Sequence, residues 1–167
     1  MQLHRKLRLL ALALVLASCA TLGQIIQPPT FDVASGRQAE LRLLGPSPSR
    51  PLGGAAVRLW ADVANPNAFG LTLSTVEGQL ALDGVQAADV DLPLGLPLAA
   101  GQSTVIPLDI GIGFADVPRI ATVLGRAVTN QEVEYQLVGR FGVDAGPLGR
   151  PTFGPNTLLR GTLRVER

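Results

Sequence analysis

This sequence predicts a mostly β, antiparallel fold, and three observations carry the prediction. Four stretches alternate apolar and polar residues with a period of two, an Asp-Gly pair separates two apolar-patterned segments, and Gly and Pro cluster between them. A period of two sends successive side chains to opposite faces, so one face packs and the other stays wet. With 167 residues and 47% hydrophobic composition, the chain is apolar enough to fold and long enough for one core without disulfides.

The amino terminus reads differently. Residues 1–8 are short and basic, and residues 9–17 form an apolar run too short to span about 30 Å of hydrocarbon as a helix. The pattern predicts a secretory signal over residues 1–18. Leu16-Ala17-Ser18-Cys19 resembles the bacterial lipobox, in which cleavage precedes an obligatory cysteine that is then acylated. That resemblance implies lipidation of Cys19 and a membrane partner. Stable anchoring takes about two acyl chains, each buried CH₂ contributing about 0.8 kcal/mol. The expected location is the cell envelope, lipid-anchored, with the domain on the extracytoplasmic side. Ala20 is not the aspartate that acts as a retention signal in some bacteria, which favours an outer membrane where one exists. Residues 19–29 read as a lipidated tether, stiffened by Pro28-Pro29, and residues 30–167 as one domain.

Cleavage changes the chemical inventory. His4, Lys6 and Met1, each the sole residue of its kind, leave with residues 1–18. Arg5, Lys6 and Arg8 are three of the 14 basic residues, while all 13 acidic ones remain, so the +1 of the full chain becomes mildly acidic. No basic stripe remains for nucleic acid. Without histidine or lysine there is no Ser-His-Asp or Cys-His pair and no Schiff base. With Cys19 given to lipid there is no thiol nucleophile, disulfide or Cys/His zinc site. The expectation is no catalytic residue, no cofactor, no metal and no small-molecule substrate. Asp83, Asp89 and Asp91 are the nearest approach to an oxygen cluster, and they lack the ordered spacing of a calcium loop.

The elements follow in order. Val57, Leu59, Ala61 and Val63 oppose Arg58, Trp60 and Asp62. Trp60 falls on the polar parity and is expected to pack beneath a neighbouring loop or helix. Over residues 71–82 the apolar parity shifts from Leu71 and Leu73 to Val76, Leu80 and Leu82, which predicts a bulge near Ser74-Thr75. Asp83-Gly84 is a two-residue hairpin signal, since both central residues of a type I′ turn need positive φ. Thr104, Ile106, Leu108, Ile110 and Ile112 form the next strand, and Pro107 marks it as an edge. Residues 116–127 place Val117, Ile120, Ala121 and Leu124 at helical spacing. Asp116 is the cap and Pro118 sits in the first turn. Val133, Tyr135, Leu137, Gly139, Phe141 and Val143 make a further strand, with Tyr135 in the core, and Leu159, Gly161, Leu163 and Val165 another. Residues 45–54 and 142–155, rich in Gly and Pro, read as surface loops without a phosphate-binding pattern.

Asn65-Pro66-Asn67 interrupts the first alternating run. Pro66 cannot donate to a ladder and keeps Asn65 extended, while Asn67 suits a side-chain-bonded turn. A structural strand end is the direct reading, and a binding role for the two amides is the other. In the order VRLWADVANPNAFGLTL, STVEGQLALDGV, LAAGQSTVIPLDIGI and VEYQLVGRFGV, the chain resembles the late embryogenesis abundant type 2 family, which includes the water-stress-and-hypersensitive-response (WHy) domain. Asn65, Pro66 and Asn67 fall on the family's Asn-Pro-Asn motif and Asp83-Gly84 on its hairpin turn. The resemblance covers residues 29–165, nearly the whole chain after the signal. It implies an immunoglobulin or fibronectin III-like antiparallel β-sandwich of about seven strands with one short α-helix. It also implies a non-enzymatic role in tolerance of desiccation and related stress. With the anchor, this makes a protector of envelope proteins or membrane. The alternative is a structural or adaptor lipoprotein that docks an envelope protein partner through a sheet edge.

Overall fold

The computed structural model describes residues 26–48, 51, 53–113, 117–129 and 132–165. The signal segment, Cys19 and the helix cap Asp116 lie outside them. The elements in order are β1 (Thr30–Val33), β2 (Ala39–Leu44), β3 (Gly54–Ala64), β4 (Leu71–Leu82), β5 (Val85–Leu98) and β6 (Ser103–Gly113). Helix α1 (Val117–Val128), β7 (Val133–Asp144), a 3₁₀ turn at Gly146–Leu148 and β8 (Thr152–Val165) follow. Among the described residues the fold is mostly β, sandwich-like, with a single short α-helix.

Eight strands appear where about seven were expected, and the reason is local. β1 pairs antiparallel with β3 from Thr30↔Ala64 to Val33↔Ala61, and β2 pairs with the other half of β3 from Glu40↔Arg58 to Leu44↔Gly54. The two short strands therefore lie end to end along one edge of β3. The break falls at Ser35-Gly36, where Gly36 has φ of 74°, a left-handed conformation open to glycine.

β6 covers the opposite edge of β3 in unbroken register from Gly54↔Gly113 to Ala64↔Ser103. The second layer runs β8-β7-β4-β5, and the two layers join where β2 pairs in parallel with β8. Inward residues of both layers form one core that includes Leu59, Ile110, Leu73, Leu80, Leu137 and Leu163. Contact between layers is direct, with the rings of Phe31 on β1 and Phe141 on β7 at 4.9 Å, and Phe153 on β8 extends the cluster within the second layer at 5.5 Å from Phe141.

The parity change in β4 has the expected cause. Ser74 is an extra residue against β7, where Leu73↔Val143 is followed by Thr75↔Gly142, and everything after it is re-aimed. Strand β5 answers with its own irregularity, Leu94 and Gly95 lying between the partners of Leu73 and Thr75. Asp83 and Gly84 have φ of 46° and 77°, as a type I′ hairpin requires. Strand β5 continues through Pro93 and Pro97 to Leu98. It lies at the end of the strand order, where a missing amide need not break a ladder.

Two sequence expectations need correction. The surface loop read over residues 142–155 shrinks to 145–151, because β7 and β8 pair as far as Gly142↔Thr152. Among the described side chains of α1, Ile120 and Val123 are buried while Ala121 is exposed. The helix rests on β5 and β8, and Ile120 and Val123, an i, i+3 pair, lie on one face of it.

Candidate functional site

Asn65 and Asn67 are the only buried polar side chains among the described residues, at 1% and 4% exposure. Burial of an amide without partners costs roughly 1–3 kcal/mol, so the geometry must account for each donor and acceptor, and it does. Asn65 Nδ2 donates to the carbonyl of Phe69 at 2.9 Å and to those of Leu98 and Ala99 at 3.2 Å. Asn65 Oδ1 accepts from the Asn67 backbone N–H at 3.0 Å and from Asn67 Nδ2 at 2.9 Å. The first of these closes a side-chain-bonded turn around Pro66. Asn67 completes the set by reading Gln27 as a strand would. Its Oδ1 accepts the Gln27 N–H and its Nδ2 donates to the Gln27 carbonyl, both at 2.8 Å.

Backbone bonds add to this knot. Asn65 N–H donates to Gln102 at 2.9 Å and Gly101 N–H to Asn67 at 3.0 Å. Three separated pieces of chain thus meet here: the segment before β1, the β3–β4 link and the β5–β6 link. The side-chain amides are committed to the protein's own backbone, so the motif holds an end of the sandwich together. Ile26 and Pro29 are buried beside it, which ties residues placed in the tether to the domain surface.

Asp83 does a related task at the opposite end. Its Oδ1 accepts the Glu134 N–H at 2.8 Å, its own N–H donates to the Glu134 carbonyl at 2.8 Å, and its Oδ2 pairs with Arg126 of α1 at 2.8 Å. The hairpin turn is thereby stitched to β7 and to the helix. Trp60 is half-buried on the outer face of β3, with the Arg37 guanidinium 4.0 Å from its ring centre, a cation–π contact worth about 0.5–1 kcal/mol at such sites.

The outer faces carry cross-strand ion pairs. Arg58 holds both oxygens of Asp109, at 2.6 and 3.0 Å, and this hydrogen-bonded pairing keeps the Asp109 carboxyl below its ordinary value. Arg140 pairs with Glu77 at 2.7 Å. An open depression of about 410 Å³ lies over β5, β4, β7 and β8, lined by Glu77, Gln79, Asp89, Val138, Arg140 and Pro155. Its floor exists because Gly78 faces Gly139. A Cβ on either would strike the neighbouring backbone, at the Val138 carbonyl and at the Glu77 carbonyl respectively. Glu77 and Arg140 neutralise each other there and Asp89 accepts from Gln86 at 3.0 Å, so the depression presents no activated nucleophile. Asp89 is exposed on β5, and among the described residues no group of three or more His, Cys, Asp or Glu is placed to hold a metal ion. No helix among them is long and apolar enough to cross a membrane.

Sequence reasoning reached Asn65, Asn67 and Asp83 but not their partners. Gln27 and the carbonyls of residues 98–102 take part through the backbone, which leaves no mark in side-chain identity.

Comparison with known proteins follows the same outline. A family model described as LEA_2, late embryogenesis abundant protein, matches residues 61–157. The solution structure of a protein from Arabidopsis thaliana superposes with a TM-score of 0.61 at 15% identity, covering 85% of this chain and 85% of that one. A second solution structure, described as a late embryogenesis abundant (LEA) protein, gives a TM-score of 0.50 at 18% identity, covering 96% of this chain and 87% of that one. At these identities the likeness is one of fold. No curated protein matches the chain by sequence.

Proposed function

Because the chain belongs to the late embryogenesis abundant family LEA_2, we propose that it is a non-enzymatic stress-protective protein. It is held at a membrane by lipid on Cys19 and shields envelope proteins or the membrane itself as water is lost. The observation that carries this reading is the family match over residues 61–157, which includes the Asn65-Pro66-Asn67 knot and the hairpin.

The architecture suits such a task. A protectant must keep its own fold when water is scarce, and charges left alone then become costly. Arg58, Arg140, Arg126 and Arg150 each have a carboxylate partner within 2.8 Å. Arginine's planar fork makes such pairs bidentate, as Arg58 does with Asp109. The buried amides are likewise saturated from within the chain.

The test is to dry a labile enzyme with the purified domain and rehydrate it. Activity should survive better than with an unrelated β-sandwich of similar size at equal mass. Equal recovery with both proteins refutes protection. Recovery of one dominant envelope protein after crosslinking, in place of a diffuse client set, would instead favour the adaptor reading.

A further inference from the structure

We propose that the end of the sandwich bearing Asn65, Asn67 and the β5–β6 link is the face that lies against the membrane to which the chain is anchored. This rests on lipidation of Cys19, and three independent observations then select the face.

The first is reach. The described chain starts at Ile26, which is buried, and Gln27 is clamped to Asn67 on both its N–H and its carbonyl. Seven residue steps separate Cys19 from Ile26, which span at most about 25 Å fully extended. Strand β5, with 14 residues, is about 45 Å long at the usual rise. A tether that leaves from the Asn67 end therefore cannot present the far end, with Asp83 and α1, to the membrane. Only the Asn67 end or a flank of the sandwich can touch it.

Charge decides between those two. Residues 26–31, 65–70 and 92–103 contain no Asp, Glu, Lys or Arg. The remaining link at this end, residues 145–151, has its one cation, Arg150, paired to Asp144 at 2.8 Å. The flanks carry Arg58–Asp109, Arg42–Glu40 and Glu77–Arg140 on their outer faces. Pressing those pairs into a headgroup layer would strip water from several charges, whereas the Asn67 end carries the single Arg150–Asp144 pair on its β7–β8 link and loses less.

The third observation is what this end exposes. Leu148 is 45% exposed at the tip of the β7–β8 link, and Ala68, Ala99 and Ala100 are exposed on the neighbouring links. The far end instead gathers Asp83, Arg126, Glu132 and Glu134. The occupant is thus a bilayer surface, approached without a cluster of basic residues and with Arg150 already paired to Asp144, so contact requires no anionic lipid. The lipid supplies the affinity, and the Asn67–Gln27 clamp supplies the orientation.

Cys19 is the only cysteine in the chain, and acylation blocks its thiol, so an introduced cysteine can be labelled alone. The full lipidated protein is reconstituted in phosphatidylcholine vesicles containing a headgroup-nitroxide lipid. A fluorophore is placed through Ala100→Cys or Leu148→Cys at the near end, and through Gln86→Cys or Thr122→Cys at the far end. All four positions are exposed. Near-end labels should be quenched several-fold more than far-end labels. With the acyl groups confirmed on Cys19 by mass, equal quenching at both ends overturns the orientation and leaves the anchor standing. An unacylated Cys19 and a chain that washes off membranes overturn the anchor, and the orientation falls with it.

Discussion

Replacing Asn65 by Asp keeps the size of the side chain and changes one nitrogen to an oxygen. In the folded protein that nitrogen faces the carbonyl oxygens of Phe69, Leu98 and Ala99 at 2.9 to 3.2 Å. An ionised carboxylate there would be buried and set against three acceptors, so the folded state must hold it protonated. Burial of this degree raises a carboxyl by about 3 units, and each unit corresponds to about 1.4 kcal/mol. Between about pH 4 and neutral pH, Asn65→Asp should therefore lose about 4 kcal/mol. The sign follows from proton binding. The folded state keeps a proton that the unfolded state releases near pH 4, so the variant's stability falls as pH rises from about 4 to about 7 and is level above. At pH 4 and below, the carboxylic acid still donates one hydrogen bond, and the remaining deficit is about 1 kcal/mol. Urea unfolding followed by circular dichroism from pH 4 to 8, with Cys19 replaced by Ala, reads this directly. A variant equal to the parent at pH 7, or one whose deficit does not change with pH, would refute the claim that Asn65 holds the knot.

Further outcomes are expected elsewhere. Asn67→Ala removes both bonds to the Gln27 backbone, so amide exchange at Gln27 should rise to the level of an unprotected residue. Gly78→Ala drives a methyl into the Val138 carbonyl and the Gly139 backbone. A loss of about 3 kcal/mol is expected, against near-neutrality for Gly111→Ala, which meets nothing. Asp109 titrates below its ordinary value because Arg58 holds it; Arg58→Met should return it upward in an NMR titration. In the parent the stability from this pair is present above about pH 4 and lost as pH falls through the depressed value. Burial raises the Tyr135 phenol above 10, so its absorbance change should come late in an alkaline titration. Its contribution is intact below pH 10 and lost as pH rises toward the raised value.

The strands with strict alternation were legible because one parity is buried and the other wet, as along β3 and β7. The bulge at Ser74 could be read for the same reason, since a slip in parity has few other causes. β1 and β2 escaped because each is too short to establish a period, and the later part of β5, beyond the hairpin, because Pro93 and Pro97 mimic a loop. Helix α1 was legible in outline, but which of its apolar residues are buried depends on how it rests on β5 and β8. Of the site, Asn65 and Asn67 stand out in the sequence as side chains. Their meaning does not, since Gln27, Leu98, Ala99 and Gln102 contribute only backbone atoms, and any residue at those positions offers the same groups.

The most direct measurement is survival of drying by cells that lack this protein, complemented with the parent chain or with Cys19→Ala. A protective, lipid-anchored protein requires that loss of the chain lower survival, that the parent restore it, and that the unanchored form restore it less. Unchanged survival without the protein, across drying, osmotic and oxidative stress, would contradict a protective role outright.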